Sequence, residues 1–125
     1  MITAIHTLLY SDDPDATRAF LQDVLGWPFV DAHGGWLIFG TGPSEMGVHP
    51  TGYEADGDPQ KVPAHHEVSI MCDDIEKTRA ELAAKGATFD GPIQDAGFGR
   101  TATMNVPGSC QMLLYQPRHP LAYEL

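Results

Sequence analysis

The segment DDPDATRAFL (residues 12–21) decides the fold, because it recurs as DDIEKTRAEL at residues 73–82. Six of the ten aligned positions are identical, and the match resumes after a one-residue deletion at a glycine and a phenylalanine in each copy. A strand-like run precedes each copy, at residues 4–10 and 67–72. A repeat that spans strand, helix and glycine indicates a duplicated structural unit.

Each copy predicts the same order of elements, β-α-β-β-β. Ser11 or an aspartate at 12–13 can cap the first helix, an aspartate starts the second, and a glycine ends each. Short runs of alternating character bounded by Gly and Pro predict three further strands in each copy: residues 28–31, 35–39 and 45–49, and residues 88–90, 100–106 and 111–116. We predict an α+β domain with module one at residues 1–52, a turn-rich linker at 50–63, module two at 64–117 and a tail at 118–125.

Charge and length exclude several classes of function. Seventeen acidic against seven basic residues give a net charge of −10, which disfavours binding to nucleic acid or an anionic membrane. No uncharged apolar run approaches the roughly 20 residues of a membrane span. Cys72 and Cys110 are too few for a disulfide scaffold, and residues 1–13 lack the basic start of a secretory leader. We therefore expect a cytoplasmic protein of one domain with reduced thiols.

Period-two alternation divides the strand residues between two faces. We expect the helices to cover one face, which leaves His6 and Tyr10 on the other face of the first strand, and Glu67 and Met71 on that of the fifth. Tyr10, Met71, Leu113 and Tyr115 then line a pocket for a small organic ligand, or fill a closed core. We assign three more aromatic residues to the core: Trp27, Trp36 and Phe39.

The combination of a first-strand histidine, the Asp-Asp helix start, Leu-Gly-Trp at residues 25–27 and the final hairpin FGR…VPG…LLYQP at 98–117 resembles the vicinal oxygen chelate superfamily. This group contains glyoxalases, extradiol dioxygenases, fosfomycin-resistance enzymes and bleomycin-binding proteins, and the resemblance covers residues 3–118. It implies two tandem modules whose curved mixed sheet surrounds a cleft. It also implies a homodimer and, in many members, one divalent metal ion in the cleft.

The resemblance places metal ligands on His6, Glu45 and Glu67, with His49 as the alternative to Glu45. The fourth usual ligand falls on Leu113, which cannot bind a metal. One imidazole and two carboxylates suit Mn, Fe or Mg, with Ni and Zn as further candidates. Two states remain open: a three-ligand metal site, or a metal-free cleft in which one carboxyl is protonated. Structural alternatives also remain, namely a backbone-bonded His6, an exposed or His6-paired Glu67 and a solvated Glu45.

These residues support two functions. The first is a metal-dependent lyase, isomerase or dioxygenase that acts on a small oxygen-bearing organic molecule, with Glu67 or Glu45 moving a proton. The alternative is a non-catalytic protein that binds and sequesters an antibiotic or metabolite, which the missing ligand at Leu113 and the acidic surface favour. A third hypothesis, an interaction module without a small ligand, predicts a filled cleft.

Overall fold

The computed structural model describes residues 6–124. Over that range the elements are α1 (Pro14–Ala19), a π-helical turn (Phe20–Val24), β1 (Phe29–Asp31), β2 (Leu37–Phe39), β3 (Gly52–Ala55), β4 (Asp58–Lys61), β5 (Ser69–Met71), α2 (Ile75–Ala84), β6 (Phe89–Asp95), β7 (Gly99–Met104), β8 (Met112–Pro117) and a 3-10 turn (Ala122–Glu124). None of the described helices is long and apolar enough to cross a membrane.

The second copy of the repeat forms a four-stranded mixed sheet in the order β5-β8-β7-β6. Strand β5 runs parallel to β8, and the other neighbours are antiparallel. Helix α2 covers one face, where Ile75 is buried against Ala102 and Leu114. The Asp74 side chain caps the helix by accepting a hydrogen bond from the Lys77 N–H at 3.2 Å, as the repeat predicts. The β-α-β-β-β order is thus realised in this half.

The first copy contributes a helix that packs beside this sheet. Phe20 and Leu21 are buried in one cluster with Met104 and Met112, although their turn is π-helical. The start of α1 is bonded to the turn before β8: Thr17 Oγ1 donates to the Pro107 carbonyl at 2.7 Å and the Asp12 N–H to the Gly108 carbonyl at 2.8 Å. These bonds fasten the two repeats to each other.

The first half has fewer strands than predicted. Residues 45–49 form no strand, and neither do residues 6–10 of the predicted first strand; residues 4 and 5 lie outside the described range. Among residues 6–124, strands β1 and β2 pair with each other and with no further strand. Conversely, the predicted linker contains the hairpin β3–β4, whose turn residues Asp56 and Gly57 both have positive φ (52° and 80°). That geometry is typical of the tight hairpin turns that Asp-Gly favours.

Much apolar surface stays exposed in one chain. The accessible surface is 9139 Å², whereas a compact monomer of this mass exposes about 6,600 Å². Trp36, which the sequence predicts in the core, is instead exposed, and the Arg18 guanidinium lies 5.6 Å from its ring centroid. The other large exposed hydrophobic residues are Leu8, Tyr10, Phe29, Val30, Ile38, Met46, Val48, Tyr53, Phe98 and Tyr123. A single chain therefore buries less than a compact domain of its size.

Candidate functional site

The four-stranded sheet has a face that α2 does not cover, which we call the open face. Strand register defines it: Leu114 and Ile70 pack towards α2, so their neighbours Leu113, Tyr115 and Met71 point the other way. Met71 lies opposite Tyr115 on the parallel pair, and Thr101 and Thr103 of β7 lie opposite Tyr115 and Leu113. The open face is thus lined by half-buried apolar and hydroxyl side chains at its centre.

Glu45 reaches this region from the irregular segment that follows β2. The Glu45 side chain is 15% exposed, and its carboxylate contacts the tail that follows β8. The His119 Nε2 lies 3.4 Å from one carboxylate oxygen, and the Ala122 backbone N–H donates to the other at 2.9 Å. The Glu45 carboxylate is therefore held in place, and the alternative of a freely solvated turn residue does not describe it.

Tyr115 and His119 form the aromatic part of the same group. Their ring centroids are 5.8 Å apart, and the Phe98 ring packs edge-on against Tyr115, also at 5.8 Å. Burial raises the pKa of the Tyr115 hydroxyl, and the negative charge of Glu45 raises it further. Tyr115 is therefore a neutral hydrogen-bonding group near pH 7. We call Glu45, Phe98, Tyr115 and His119 the tail site.

An ion pair fixes the root of the tail. The Arg118 guanidinium binds the Asp95 carboxylate in a forked arrangement, and its backbone N–H donates to the Phe98 carbonyl at 3.0 Å. Arg118 and the Gly97 N–H together hold the pKa of Asp95 well below its usual range. Because Phe98 lies between these contacts, the pair also positions its ring against Tyr115.

The structure does not bring the predicted metal ligands together. His6 is exposed near the start of the described range. The Glu67 side chain is 74% exposed and lies 3.1 Å from the His65 Nε2. His49 Nδ1 contacts the Pro50 carbonyl at 2.8 Å. Tyr10 is 86% exposed beside the turn before β8, at the opposite end of that strand from the tail site.

Within residues 6–124 no group of three His, Cys, Asp or Glu side chains is arranged to hold a metal ion. Glu45 is engaged by the tail and Glu67 by His65, so the donor set of one chain does not fit a divalent cation. The three-ligand site at His6, Glu45 and Glu67 accordingly stays a prediction. We derive no chemical step through a metal.

The sequence missed the tail contribution to this site. The sequence pattern assigns residues 118–125 to a tail and indicates no functional residue there, yet Arg118 and His119 supply the ion pair and the imidazole of the tail site. A signal was present, because Arg118 is one of only seven basic residues in a strongly acidic chain. Its partner Asp95 could not be found from spacing alone.

Comparison with known proteins identifies the family. Residues 3–115 match the family model described as Glyoxalase/Bleomycin resistance protein/Dioxygenase superfamily. The chain belongs to this superfamily. The resemblance inferred from the sequence and the α+β fold class are confirmed. No curated protein matches the chain significantly.

Three solved structures show the range of this superfamily. Lactoylglutathione lyase from Agrobacterium tumefaciens is 19% identical, covers 92% of this chain and 94% of its own, and has a TM-score of 0.57. The fosfomycin resistance protein FosX from Listeria monocytogenes is 15% identical with full coverage of both chains and a TM-score of 0.57. TnmS3, an antibiotic binding protein from a Streptomyces species, is 18% identical, covers 94% and 99%, and has a TM-score of 0.54. At these identities the superfamily members share the fold.

The two cysteines are not paired with each other. Cys72 is half-buried on the side of α2, and burial raises the pKa of its thiol. Cys110 is exposed in the turn before β8. A thiol whose pKa is raised is a weak nucleophile at neutral pH, so Cys72 has a packing role here.

His65 provides a test of where Glu67 lies. Both ring nitrogens face acceptors, the Pro63 carbonyl at 2.7 Å and the Glu67 carboxylate at 3.1 Å, and these contacts raise the His65 pKa, the carbonyl most. The pKa of His65 is higher in the folded than in the unfolded protein. The stability that these contacts contribute is therefore fully present below the unfolded-state pKa and is lost as the pH rises through the folded-state pKa. We expect an NMR titration midpoint above 6.5.

Glu67→Gln should lower that midpoint without returning it to 6.5, since the Pro63 carbonyl remains. Glu54, on β3, is also an exposed carboxylate, and Glu54→Gln should leave the His65 midpoint unchanged. A His65 midpoint that Glu67→Gln leaves unchanged would show that Glu67 points elsewhere in solution.

Proposed function

We propose that this protein binds a small organic molecule on the open face and holds it without chemical conversion. The observation that carries the proposal is the position of Leu113: an apolar side chain lies at the centre of the open face, where the superfamily pattern has a metal-binding carboxylate. Half-buried apolar and hydroxyl side chains around a few polar groups are typical of small-molecule sites. The antibiotic-binding member TnmS3 supports this kind of role.

A charge on the open face tests the proposal. Protein treated with EDTA is screened by thermal shift against bleomycin and a set of aromatic metabolites. We expect at least one probe to raise the Tm of the wild type, and Leu113→Arg to abolish that shift. Ala80→Arg adds the same charge on the exposed side of α2 and should leave it intact. A panel without any hit, or equal shifts in both variants, would contradict the proposal.

The second candidate is a metal-dependent lyase, isomerase or dioxygenase acting on an oxygen-bearing molecule. Members of this superfamily typically use divalent metals, and the lactoylglutathione lyase supports the lyase form. The large exposed surface of one chain also favours the metal-dependent function, because a second copy of the chain could bring metal donors such as Glu67 towards the open face of the first. The test is metal analysis of the protein after exposure to Mn, Fe, Mg, Ni and Zn ions. Stoichiometric metal in the wild type that is lost in His6→Ala and Glu67→Gln supports this function. A wild-type protein that retains no metal rejects it.

We further propose that the chain functions as a homodimer. Val30 and Ile38 are opposite each other on the β1–β2 hairpin and both are exposed, while Phe39 packs inward. The surface excess over a compact monomer is roughly 2,500 Å² per chain, so a dimer that buried all of it would hide about 5,000 Å² in total, as large obligate interfaces do. Sedimentation equilibrium should therefore give twice 13.6 kDa. Val30→Glu should weaken association and Ala80→Glu should not; a wild-type monomer at 100 µM, a concentration chosen for the assay, would contradict this.

A further inference from the structure

We propose that the Glu45 carboxylate is a receptor for an amidinium or guanidinium group, and that the tail occupies this receptor as an internal substitute for the ligand. The inference rests on the proposed function for the kind of activity, and it adds the chemical class of the ligand. It is carried by the way in which the tail contacts Glu45.

Each oxygen of the carboxylate faces a nitrogen of the tail, but only the Ala122 N–H is a donor in every protonation state of the site. His119 Nδ1 faces the Pro120 carbonyl at 2.8 Å, so Nε2 carries a proton towards Glu45 only when the imidazole is charged. His119 Nε2 lies 3.4 Å from Oε1, and the Ala122 N–H donates to Oε2 at 2.9 Å. Two N–H donors in a fork are what a planar amidinium or guanidinium offers to a carboxylate. The His119 contact is longer than an ordinary hydrogen bond, so the tail meets this demand only in part.

The charge around Glu45 leaves a place for a cation. Among the described contacts no Lys or Arg side chain pairs with Glu45, and Arg118, the neighbour of His119 in the sequence, is bound to Asp95. The chain carries a net charge of −10, which attracts cations over a longer range. A carboxylate on a side chain that is 15% exposed loses part of its hydration, so an added cation with two donors gains more here than at an open surface.

The surroundings suit the rest of such a ligand. The Tyr115 ring lies next to His119, which contacts Glu45, and the Phe98 ring packs against Tyr115; a cation stacks favourably over such rings. A cavity of about 390 Å³ adjoins the tail, and its lining includes Met71, Asp73, His119, Leu121 and Tyr123. His119 both lines this cavity and contacts Glu45, so displacement of His119 would open the cavity towards the carboxylate. That volume lies within the range of small-molecule pockets.

The tail can give up Glu45 without leaving the protein. Its root is held by the Arg118–Asp95 pair and by the Arg118 N–H on Phe98, neither of which involves Glu45. A ligand therefore has to displace only His119 and the turn Ala122–Glu124. Competition with the tail lowers the apparent affinity in proportion to the fraction of molecules in which Glu45 is free.

Benzamidine, a small aromatic amidinium, is the probe for this inference, and benzyl alcohol is its uncharged counterpart. Binding is measured by NMR on the full chain. We expect benzamidine to shift the Ala122 amide signal, and Glu45→Gln to weaken benzamidine binding at least tenfold. Glu54→Gln, on exposed β3, should have no effect. Benzyl alcohol should not distinguish Glu45→Gln from the wild type.

The double variant His119→Ala with Ala122→Pro removes both contacts of the tail with Glu45, and proline is tolerated at the first position of a helical turn. We expect it to bind benzamidine about tenfold more tightly, since the competing tail contacts are gone. Equal affinity of wild type and Glu45→Gln, no gain in the double variant, or no binding by either would overturn the inference. Glu45→Ala serves as a second test should Glu45→Gln not fold.

The two proposals fail separately. In one outcome, bleomycin or a metabolite gives a Tm shift that Leu113→Arg abolishes, but benzamidine binds the wild type and Glu45→Gln equally. The proposed function then stands, and the assignment of Glu45 as an amidinium receptor is wrong. If Leu113→Arg leaves every Tm shift intact while benzamidine binding depends on Glu45, the receptor stands and binding on the open face is wrong.

Discussion

Replacing Leu114 with alanine is expected to lower the free energy of unfolding by about 3 kcal/mol. Leu114 is 0% exposed and packs against Ile75 of α2 and Ala102 of β7. Its truncation leaves a cavity between the sheet and the helix, which the surrounding structure fills only in part. Urea unfolding at one fixed protein concentration measures the effect, because association also changes apparent stability.

The neighbouring residue is the matched control. Leu113→Ala removes the same atoms from the open face, where the side chain is half-buried, and should cost about 1 kcal/mol or less. Equal losses for the two variants would mean that both faces of β8 are covered, and the open face would not exist as described.

Gly108→Ala is the second large effect, and we expect it to lower the free energy of unfolding by about 3 kcal/mol. Gly108 has φ +79°, and an added Cβ would lie 2.8 Å from the Asp13 carbonyl oxygen and 2.8 Å from Ser11 Oγ. The turn must move away from the start of α1. The hydrogen bonds that the Gly108 carbonyl accepts from the Asp12 N–H and Ser11 Oγ are then lost.

Gly42→Ala separates the two causes of this effect. Gly42 has φ +80° with no atom near the position of an added Cβ, so the substitution carries backbone strain alone, about 1 kcal/mol. Thermal and urea unfolding of both variants give the comparison. If the two substitutions cost the same, the contact between α1 and the turn contributes nothing to stability.

The second half of the fold could be predicted because its signals are local. Asp74 caps α2, alternation assigns Ile70 and Leu114 to the helix side, and the turn before β8 falls at Pro107-Gly108. The predicted break at Gly91-Pro92 was wrong, because these residues lie within β6, where the pairing with β7 is irregular. The same alternation places Met71, Leu113 and Tyr115 on the open face. Their role as a ligand pocket stays a prediction, and so does the division of the chain at residues 50–63.

The first half was harder because its strands depend on partners that sequence patterns do not show. Residues 45–49 include Gly47 and precede Pro50, and no neighbouring strand pairs with them in the described part of the chain. The prediction of a strand there was wrong for this reason. Asp56-Gly57 is a strong hairpin signal, but the many turn residues at 50–63 also fit an irregular linker, and only the pairing of β3 with β4 in the structure distinguishes the two.

The tail site could be predicted only in part. Glu45 was named from the resemblance, whereas its partners His119 and Ala122 come from the far end of the chain. Contacts between residues more than 70 positions apart depend on the path of the backbone, and a single sequence gives no spacing rule for them. The exposed histidine pair of Glu67 is likewise set by the local backbone near Pro63.

The parallel pairing of β5 with β8 has a consequence for the order of folding. Strands β6, β7 and β8 join through short antiparallel connections, whereas Ser69 finds its partner at Leu113. Contacts of such long sequence separation form slowly. During synthesis β5 is the first of the four strands to emerge, whereas its partner β8 is the last. The backbone groups of β5 and the Ile70 side chain therefore lack their final partners until the last quarter of the described chain has left the ribosome.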